Sequence, residues 1–187
     1  MLFIDTTTAD LVVAVVRENS IDNYSCANLG TRHSETLCQR VNEALEKSHM
    51  TFDDFDAYAC AIGPGSFTGI RIGIATVKGY VLAAPKPIIS VNCLEAIACS
   101  QNCGAAQSAI IDAGNGYYFA DYANGVLPTL VPYDDVRTQV AGKCNGAIAY
   151  LDGVAEIVRK KFSEGAFDNA LSPLYIRRSQ AEEKWKN

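Results

Sequence analysis

The sequence is short of the residues that build metal centres and disulfide frameworks. Its 187 residues include only two histidines, His33 and His49, and none of the seven cysteines lies in a Cys-x-x-Cys pair. A zinc centre and a disulfide framework are therefore not expected. We predict that the cysteines are free, mostly buried thiols in a reducing compartment.

Positive charge and long apolar runs are also scarce. The net charge is −5, which argues against a broad nucleic-acid-binding surface. The locally basic tail contains Arg177, Arg178, Lys184 and Lys186, and we interpret it as a solvated helix end. No apolar run is uninterrupted over the length that a membrane span requires. Because residues 2–5 already read as a strand, we expect no signal peptide. We expect a cytoplasmic protein without a membrane partner.

The most informative segment is the glycine-rich loop 63–73, with the sequence GPGSFTGIRIG. An apolar strand, residues 57–62, precedes it, and an apolar helix, residues 70–84, follows it. Such a turn can present backbone N–H groups to an anion. However, no Gly-Lys-Ser/Thr closes the loop, and Arg71 is its only cation. The loop either derives from a nucleotide site or shapes the helix for another purpose, and Ser66 is predicted to cap that helix.

Hydrophobic periodicity predicts a mixed α/β chain. Strands are predicted over 2–5, 11–16, 21–27, 57–62, 88–91, 109–112, 117–122 and 147–151. Helices are predicted over 70–84, 94–100, 154–162 and 173–186, together with one capped by Thr31 or Ser34 that carries Leu37, Val41 and Leu45 on its apolar face. A polar link after residue 101 predicts an N-terminal α/β lobe, 1–101, and a smaller C-terminal lobe, 102–187.

Each predicted lobe opens on a strand that ends in an aspartate. Ile4-Asp5 and Ile111-Asp112 form this weak internal repeat. The arrangement resembles the two-lobed actin, sugar-kinase and Hsp70 ATPase architecture, which is ribonuclease H-like. The fold class expected from it is α/β with a shortened second lobe.

Several short motifs resemble one family within that architecture. They are Ile4-Asp5-Thr6, His33-Ser34-Glu35, the loop 63–73, Pro87-Ile88-Ile89-Ser90-Val91 and Pro173-Leu174-Tyr175-Ile176-Arg177. Together they resemble the bacterial TsaB (YeaZ) family, whose members are accessory subunits in making threonylcarbamoyladenosine (t6A) on tRNA.

The resemblance implies a scaffold without catalytic residues, metal or cofactor. The related catalytic subunit, TsaD, carries a metal-binding His-x-x-x-His, and Cys93 and Ile97 stand at those positions here. Isoleucine cannot bind a metal ion, and coordination of an ion from one face of a helix requires two ligands one turn apart. The departure also weakens a metallopeptidase interpretation.

The resemblance further implies a TsaD-type partner and leaves open a TsaE-type ATPase. It implies a homodimer when the chain is alone, and only indirect contact with tRNA. The predicted partner interface lies on the two apolar helices and comprises Leu37, Val41, Leu45, Ile70, Gly73, Ile74, Val77 and Val81.

An active enzyme is the alternative, either an ATPase or a small kinase that uses Asp5 and Asp112. Its candidate nucleotide-binding residues are Asp5, Thr7, Asp112 and Gly114. The segment from Asp112 to Gly116 resembles the second phosphate motif of the wider superfamily and departs from the Asp-Ala-Arg usual in the accessory family. The simpler interpretation is that both aspartates cap local turns.

Overall fold

The computed structural model describes residues 1–30, 32–104 and 106–176. The first sheet has five strands, β1 (Leu2–Asp5), β2 (Val12–Val16), β3 (Ile21–Asn23), β4 (Tyr58–Gly63) and β5 (Ile88–Asn92), in the order β3-β2-β1-β4-β5. β1, β2 and β3 pair antiparallel, whereas β1, β4 and β5 run parallel. Every residue of β1 and β2 is buried, as expected of strands covered on both faces.

The second sheet has four strands, β6 (Ser108–Asp112), β7 (Tyr117–Asp121), β8 (Val126–Val131) and β9 (Gly142–Lys143), in the order β8-β7-β6-β9. It opens like the first sheet, because β6, β7 and β8 form an antiparallel meander and β9 joins β6 in parallel. This repeated topology confirms the predicted two-lobed, ribonuclease H-like α/β architecture, with the smaller sheet in the second half of the chain.

Among the described residues, four α-helices pack against the sheets in layers. Helices α1 (His33–Ser48) and α2 (Phe67–Ala83) cover one face of the first sheet. Helices α3 (Cys93–Cys99) and α4 (Leu151–Ser163) pack against its other face, and α3 also contacts the second sheet. One hydrophobic core therefore runs through both halves of the chain, and the division at residue 101 stays a prediction.

Two predicted elements are wrong. Residues 147–151 were expected to form a strand, but Ala147–Tyr150 is a 3-10 helix that leads into α4. Gly146, at φ 88°, turns the chain so that Ala147 N–H and Ile148 N–H donate to Thr8 Oγ1 and Asp10 Oδ2. Side chains of the first lobe thus hold this turn, and the place beside β6 belongs to β9. In the expected helix 173–186, residues 173–176 are not helical, and the rest, including the basic tail, lies outside the described residues.

The cysteines also differ from the prediction at one pair. Cys103 and Cys144 form a disulfide, with Cα atoms 5.7 Å apart, whereas Cys26, Cys38, Cys60, Cys93 and Cys99 are free. Cys103 and Cys144 are 41 residues apart, so no short sequence motif indicates that they pair. In the part of the chain that the structure describes, none of the helices combines the length and apolar character of a bilayer crossing.

Candidate functional site

The glycine loop packs directly on the turn that follows β1. Ser66 N–H donates to the Thr7 carbonyl at 2.7 Å, and Thr6 Oγ1 donates to the Gly69 carbonyl at 2.6 Å. A methyl group at Gly65 or Gly69 would overlap the carbonyl oxygens of Thr7 or Thr6, so these two positions require glycine. Ser66 caps α2 by accepting from Gly69 N–H at 3.2 Å, as predicted. The loop therefore fixes where α2 begins.

Asp5 lies beneath this loop in a closed hydrogen-bonded cluster. The side chain is fully buried; Oδ1 accepts from Thr7 N–H at 2.6 Å, and Oδ2 accepts from the Tyr150 hydroxyl at 3.0 Å. Burial raises the pKa of Asp5, against the opposing effect of its hydrogen bonds to Thr7 and Tyr150. A magnesium ion needs open, charged oxygen ligands, and Asp5 does not fit that role in this arrangement.

Cys93 and Ile97, which the resemblance places at the positions of the TsaD histidines, are also buried. Cys93 Sγ lies 3.4 Å from Thr7 Oγ1, and burial raises the pKa of its thiol to about 12. A protonated thiol is a poor metal ligand because the thiolate is the binding form. Ile97 is 1% exposed and packs in the core that α3 and α4 share with both sheets. Among the described residues, no group of three His, Cys, Asp or Glu side chains is placed to hold a metal ion.

The second aspartate turn is open to solvent. Asp112 Oδ1 accepts from Gly114 N–H at 2.7 Å and from the Tyr133 hydroxyl at 2.9 Å. The hydrogen bond from Gly114 contributes most to lowering the pKa of Asp112. Asp112 and Gly114 are exposed. Both aspartates therefore cap local turns, in agreement with the simpler sequence interpretation.

A cavity of about 300 Å³ lies between the two aspartate turns and the glycine loop. Its lining residues are Thr7, Thr8, Gly65, Ser66, Ile111, Asp112, Ala113 and Tyr118. Thr7 and Asp112, two of the four predicted nucleotide-binding residues, thus meet at one cavity, while Asp5 and Gly114 are not part of its lining. That these four residues bind a nucleotide stays a prediction.

Most of the predicted partner-interface residues point into the chain itself. Six are buried, namely Leu37, Val41, Ile70, Gly73, Ile74 and Val77, and two are partly buried, Leu45 and Val81. They pack in the core between α1, α2 and the first sheet. Their part in a partner interface stays a prediction, but charged substitutions at Ile74 or Val77 would test folding rather than pairing.

The outward face of α2 carries a different set of residues. Its exposed positions are Thr68, Arg71, Ala75, Lys78, Gly79, Leu82 and Ala83. Leu82 is 85% exposed, and a methyl group at Gly79 would have no neighbour within 4 Å. Sequence periodicity could not identify this face because α2 is apolar on nearly every side, which removes the contrast between buried and exposed positions.

Sequence reasoning also missed Tyr150, which closes the Asp5 cluster from 145 residues away. Residue 150 lay in a segment predicted as a strand, and no local motif links a tyrosine there to β1. The buried aspartate after β1 was the one available signal, since a buried carboxylate needs hydrogen-bond donors.

Comparison with known proteins identifies the family. A family model described as TsaD, tRNA N6-adenosine threonylcarbamoyltransferase, matches residues 28–126, which is more than half of the chain. The tRNA threonylcarbamoyladenosine biosynthesis protein TsaB of Bacillus subtilis (strain 168) is 31% identical over 140 residues, covering 73% of this chain and 61% of the relative. The TsaB protein of Escherichia coli (strain K12) is 34% identical over 126 residues, covering 65% and 54%. The chain thus spans little more than half the length of these relatives.

Two solved structures share the fold. A Pseudomonas aeruginosa protein described as similar to peptidase YEAZ superposes with a TM-score of 0.75 at 22% identity, covering 94% of this chain and 98% of that one. YeaZ from Pseudomonas aeruginosa superposes with a TM-score of 0.72 at 19% identity, covering 93% and 98%. With the sequence motifs, the family match and the repeated sheet topology, these findings establish that the chain belongs to the TsaB (YeaZ) family.

Proposed function

We propose that this chain is a non-catalytic subunit that binds a TsaD-type transferase and supports threonylcarbamoyladenosine formation on tRNA. The names of the TsaB relatives place those proteins in this biosynthesis. Other relatives are named as the transferase itself, such as the Methylobacterium nodulans protein, which is 41% identical over 64 residues. The chain therefore shares ancestry with the enzyme whose partner we propose it to be.

The observation that carries the proposal is the closed state of the Asp5 cluster. Thr7 and Tyr150 occupy both carboxylate oxygens of Asp5, and burial disfavours its charged form. At the positions of the transferase's metal ligands, Cys93 has a thiol with a pKa of about 12 and Ile97 has no ligand atom. This arrangement supports a structural role for the Asp5 cluster and disfavours the alternative of an ATPase or small kinase that uses Asp5.

The proposed contact surface is the outward face of α1 and α2. α2 offers Ala75, Gly79 and Leu82 as a stripe of small and apolar residues, and small residues allow another helix to approach closely. α1 presents Cys38, Gln39 and Asn42 beside it. An apolar side chain as exposed as Leu82 gains free energy when a partner covers it. In the absence of the transferase, the same face would pair with a second copy.

Leu82→Glu tests this surface. We expect it to raise the Kd for the TsaD-type subunit by roughly 30-fold, about 2 kcal/mol, because a carboxylate would replace the apolar contact and would have to lose its hydration at the interface. Isothermal titration calorimetry measures the affinity, and a tRNA modification assay with and without this chain measures the functional consequence.

Leu127→Glu is the matched control, because Leu127 is 77% exposed on β8 of the second lobe. It should leave both affinity and modification unchanged. A wild-type chain that neither binds the transferase nor increases modification would overturn the proposed function. Equal effects of Leu82→Glu and Leu127→Glu would overturn the assignment of the surface alone.

A further inference from the structure

After α4, the chain returns to the first lobe along residues 168–176, which we call the returning segment. Asp168 N–H donates to the Ile88 carbonyl at 2.9 Å, and Asp168 Oδ2 accepts from Ser90 N–H at 2.6 Å. Leu171 is 1% exposed in the core beneath α1 and α2. The segment is therefore fixed to the edge of β5 before it reaches the glycine loop.

The returning segment then crosses the end of β4 where the glycine loop begins. Leu174 N–H donates to the Ile62 carbonyl at 2.8 Å. A methyl group at Gly63 would lie 3.1 Å from the Leu174 carbonyl oxygen, so the two backbones are in close contact. This contact delivers Tyr175 to the first turn of α2.

Tyr175 closes a three-residue cluster, Phe67, Arg71 and Tyr175, which we call the aromatic clasp. The rings of Phe67 and Tyr175 stack in parallel, with centroids 4.0 Å apart and an interplanar angle of 6°. Arg71 Nε donates to the Tyr175 hydroxyl at 2.9 Å, and the guanidinium carbon lies 4.7 Å from the Phe67 ring centroid. Phe67 and Arg71 are one helical turn apart, so the same face of α2 holds both contacts.

The clasp lies at the start of the outward face of α2. Arg71 is followed at helical spacing by Ala75, Gly79 and Leu82, the stripe on which the proposed function rests. Ser66, which caps α2 and lines the cavity between the aspartate turns, directly precedes Phe67. The returning segment thus touches the first turn of the helix proposed to carry the partner surface.

We propose that Tyr175 is a positioning residue that holds the first turn of α2 and orients Arg71 on the partner-binding face. This inference rests on the proposed function, because the partner is the TsaD-type subunit. Without Tyr175, Phe67 loses its stacked ring and the Arg71 side chain loses its hydrogen-bond acceptor and samples more rotamers. The partner must then order Arg71 on binding, which weakens affinity.

Tyr175→Ala tests the proposal in two ways. Amide hydrogen exchange of the isolated chain should accelerate several-fold at residues 67–71 and stay unchanged in α4. The Kd for the TsaD-type subunit should weaken by about tenfold. Tyr175→Phe keeps the stacked ring and removes only the acceptor of Arg71. Exchange at residues 67–71 should therefore stay near that of wild type while the Kd is still raised, a separation that a variant which had merely lost its fold would not show.

Phe167→Ala is the matched control, because Phe167 is a comparably exposed aromatic residue that contacts Phe162 and not α2. Phe167→Ala should change neither the amide hydrogen exchange at residues 67–71 nor the Kd for the TsaD-type subunit. Unchanged exchange in Tyr175→Ala, or accelerated exchange with an unchanged Kd, would overturn the positioning role. If the wild-type chain does not bind the transferase, the proposed function is wrong, and so is the role of Tyr175 in positioning a partner surface. The exchange measurement does not depend on the transferase and still shows whether Tyr175 holds the first turn of α2.

Discussion

The turns after β1 and β6 use the same hydrogen bonds in opposite environments. In each, an aspartate accepts a backbone N–H from two residues ahead, and a distant tyrosine donates to the same carboxylate. Asp5 is buried and its pKa is raised, whereas Asp112 is exposed and its pKa is lowered. Hydrogen bonds favour a lower pKa in both turns, and burial outweighs them at Asp5 alone of these two carboxyl groups.

The comparison also explains what a strand-aspartate motif can and cannot indicate. The motif specifies a capped turn in both lobes, and both turns form. Access to the carboxylate depends on its surroundings: Asp5 is fully buried with Thr7 and Tyr150 on its two oxygens, whereas Asp112 is exposed. A functional assignment from the motif alone would treat the two aspartates as equivalent.

Gly69→Ala is expected to have the largest effect on stability, because it disrupts the packing of the glycine loop on the turn after β1. The new methyl group would overlap the Thr6 carbonyl and force the glycine loop away from the β1 turn. We expect a loss of about 3 kcal/mol in the free energy of unfolding, measured by denaturant titration. Gly79→Ala is the control on the same helix; its site is open, and a gain of about 0.5 to 1 kcal/mol is expected there. Equal stability of the two variants would contradict the packing described.

A smaller loss of stability is expected when Tyr150 or Tyr133 is replaced by phenylalanine. Tyr150→Phe leaves Asp5 Oδ2 buried without its donor, and we expect a loss of about 2 kcal/mol at neutral pH. Tyr133→Phe removes the corresponding hydrogen bond from exposed Asp112, and water replaces the donor. Thermal unfolding should therefore separate Tyr150→Phe from wild type and show no measurable change for Tyr133→Phe. Similar melting temperatures for the two variants would show that Tyr150 is not essential to the cluster.

The smallest effect expected is in the pH dependence. Because the folded pKa of Asp5 is above its usual value of 3.8, the folded chain binds more protons than the unfolded chain between these two values. The contribution of Asp5 to stability is therefore fully present below 3.8 and decreases as the pH rises towards the folded pKa. Asp5→Asn should remove that decrease, so its stability relative to wild type should rise with pH across this window.

Asp112→Asn should show the opposite trend. The lowered pKa of Asp112 means that the wild-type carboxylate stabilises the fold above 3.8 and loses this contribution as the pH falls. Denaturant titrations of both variants from acidic to neutral pH measure the two slopes. Slopes of the same sign would contradict the contrast in burial.

Local sequence signals predicted the parts of the structure that local physics determines. Ser66 caps α2 and the aspartates cap their turns, all within three residues along the chain. The five strands of the first sheet and β6 and β7 of the second were also predicted, since apolar runs between turn residues specify them, whereas β8 and β9 were not.

Contacts between distant residues could not be predicted in the same way. Tyr150 and Asp5 are far apart in sequence, and so are Arg71 and Tyr175. Ala75, Gly79 and Leu82 share the outward face of α2 with Arg71 and Lys78, which weakens the contrast between its two faces, and periodicity placed the interface on residues that the core covers. Ala147–Tyr150 became a 3-10 helix because Thr8 and Asp10 hold its backbone, which no property of residues 147–150 indicates.

The outer edge of β5, which pairs with no further strand of the sheet, limits how the protein can assemble. Asp168 engages the Ile88 carbonyl and Ser90 N–H, and Lys161 Nζ donates to the Ser90 carbonyl at 2.9 Å. An edge strand whose backbone groups are occupied in this way cannot recruit a strand from another molecule. Continuous β-pairing between copies, the route to fibrils and to strand-exchanged oligomers, is therefore blocked on this side of the first sheet, and association there has to use side chains instead of backbone.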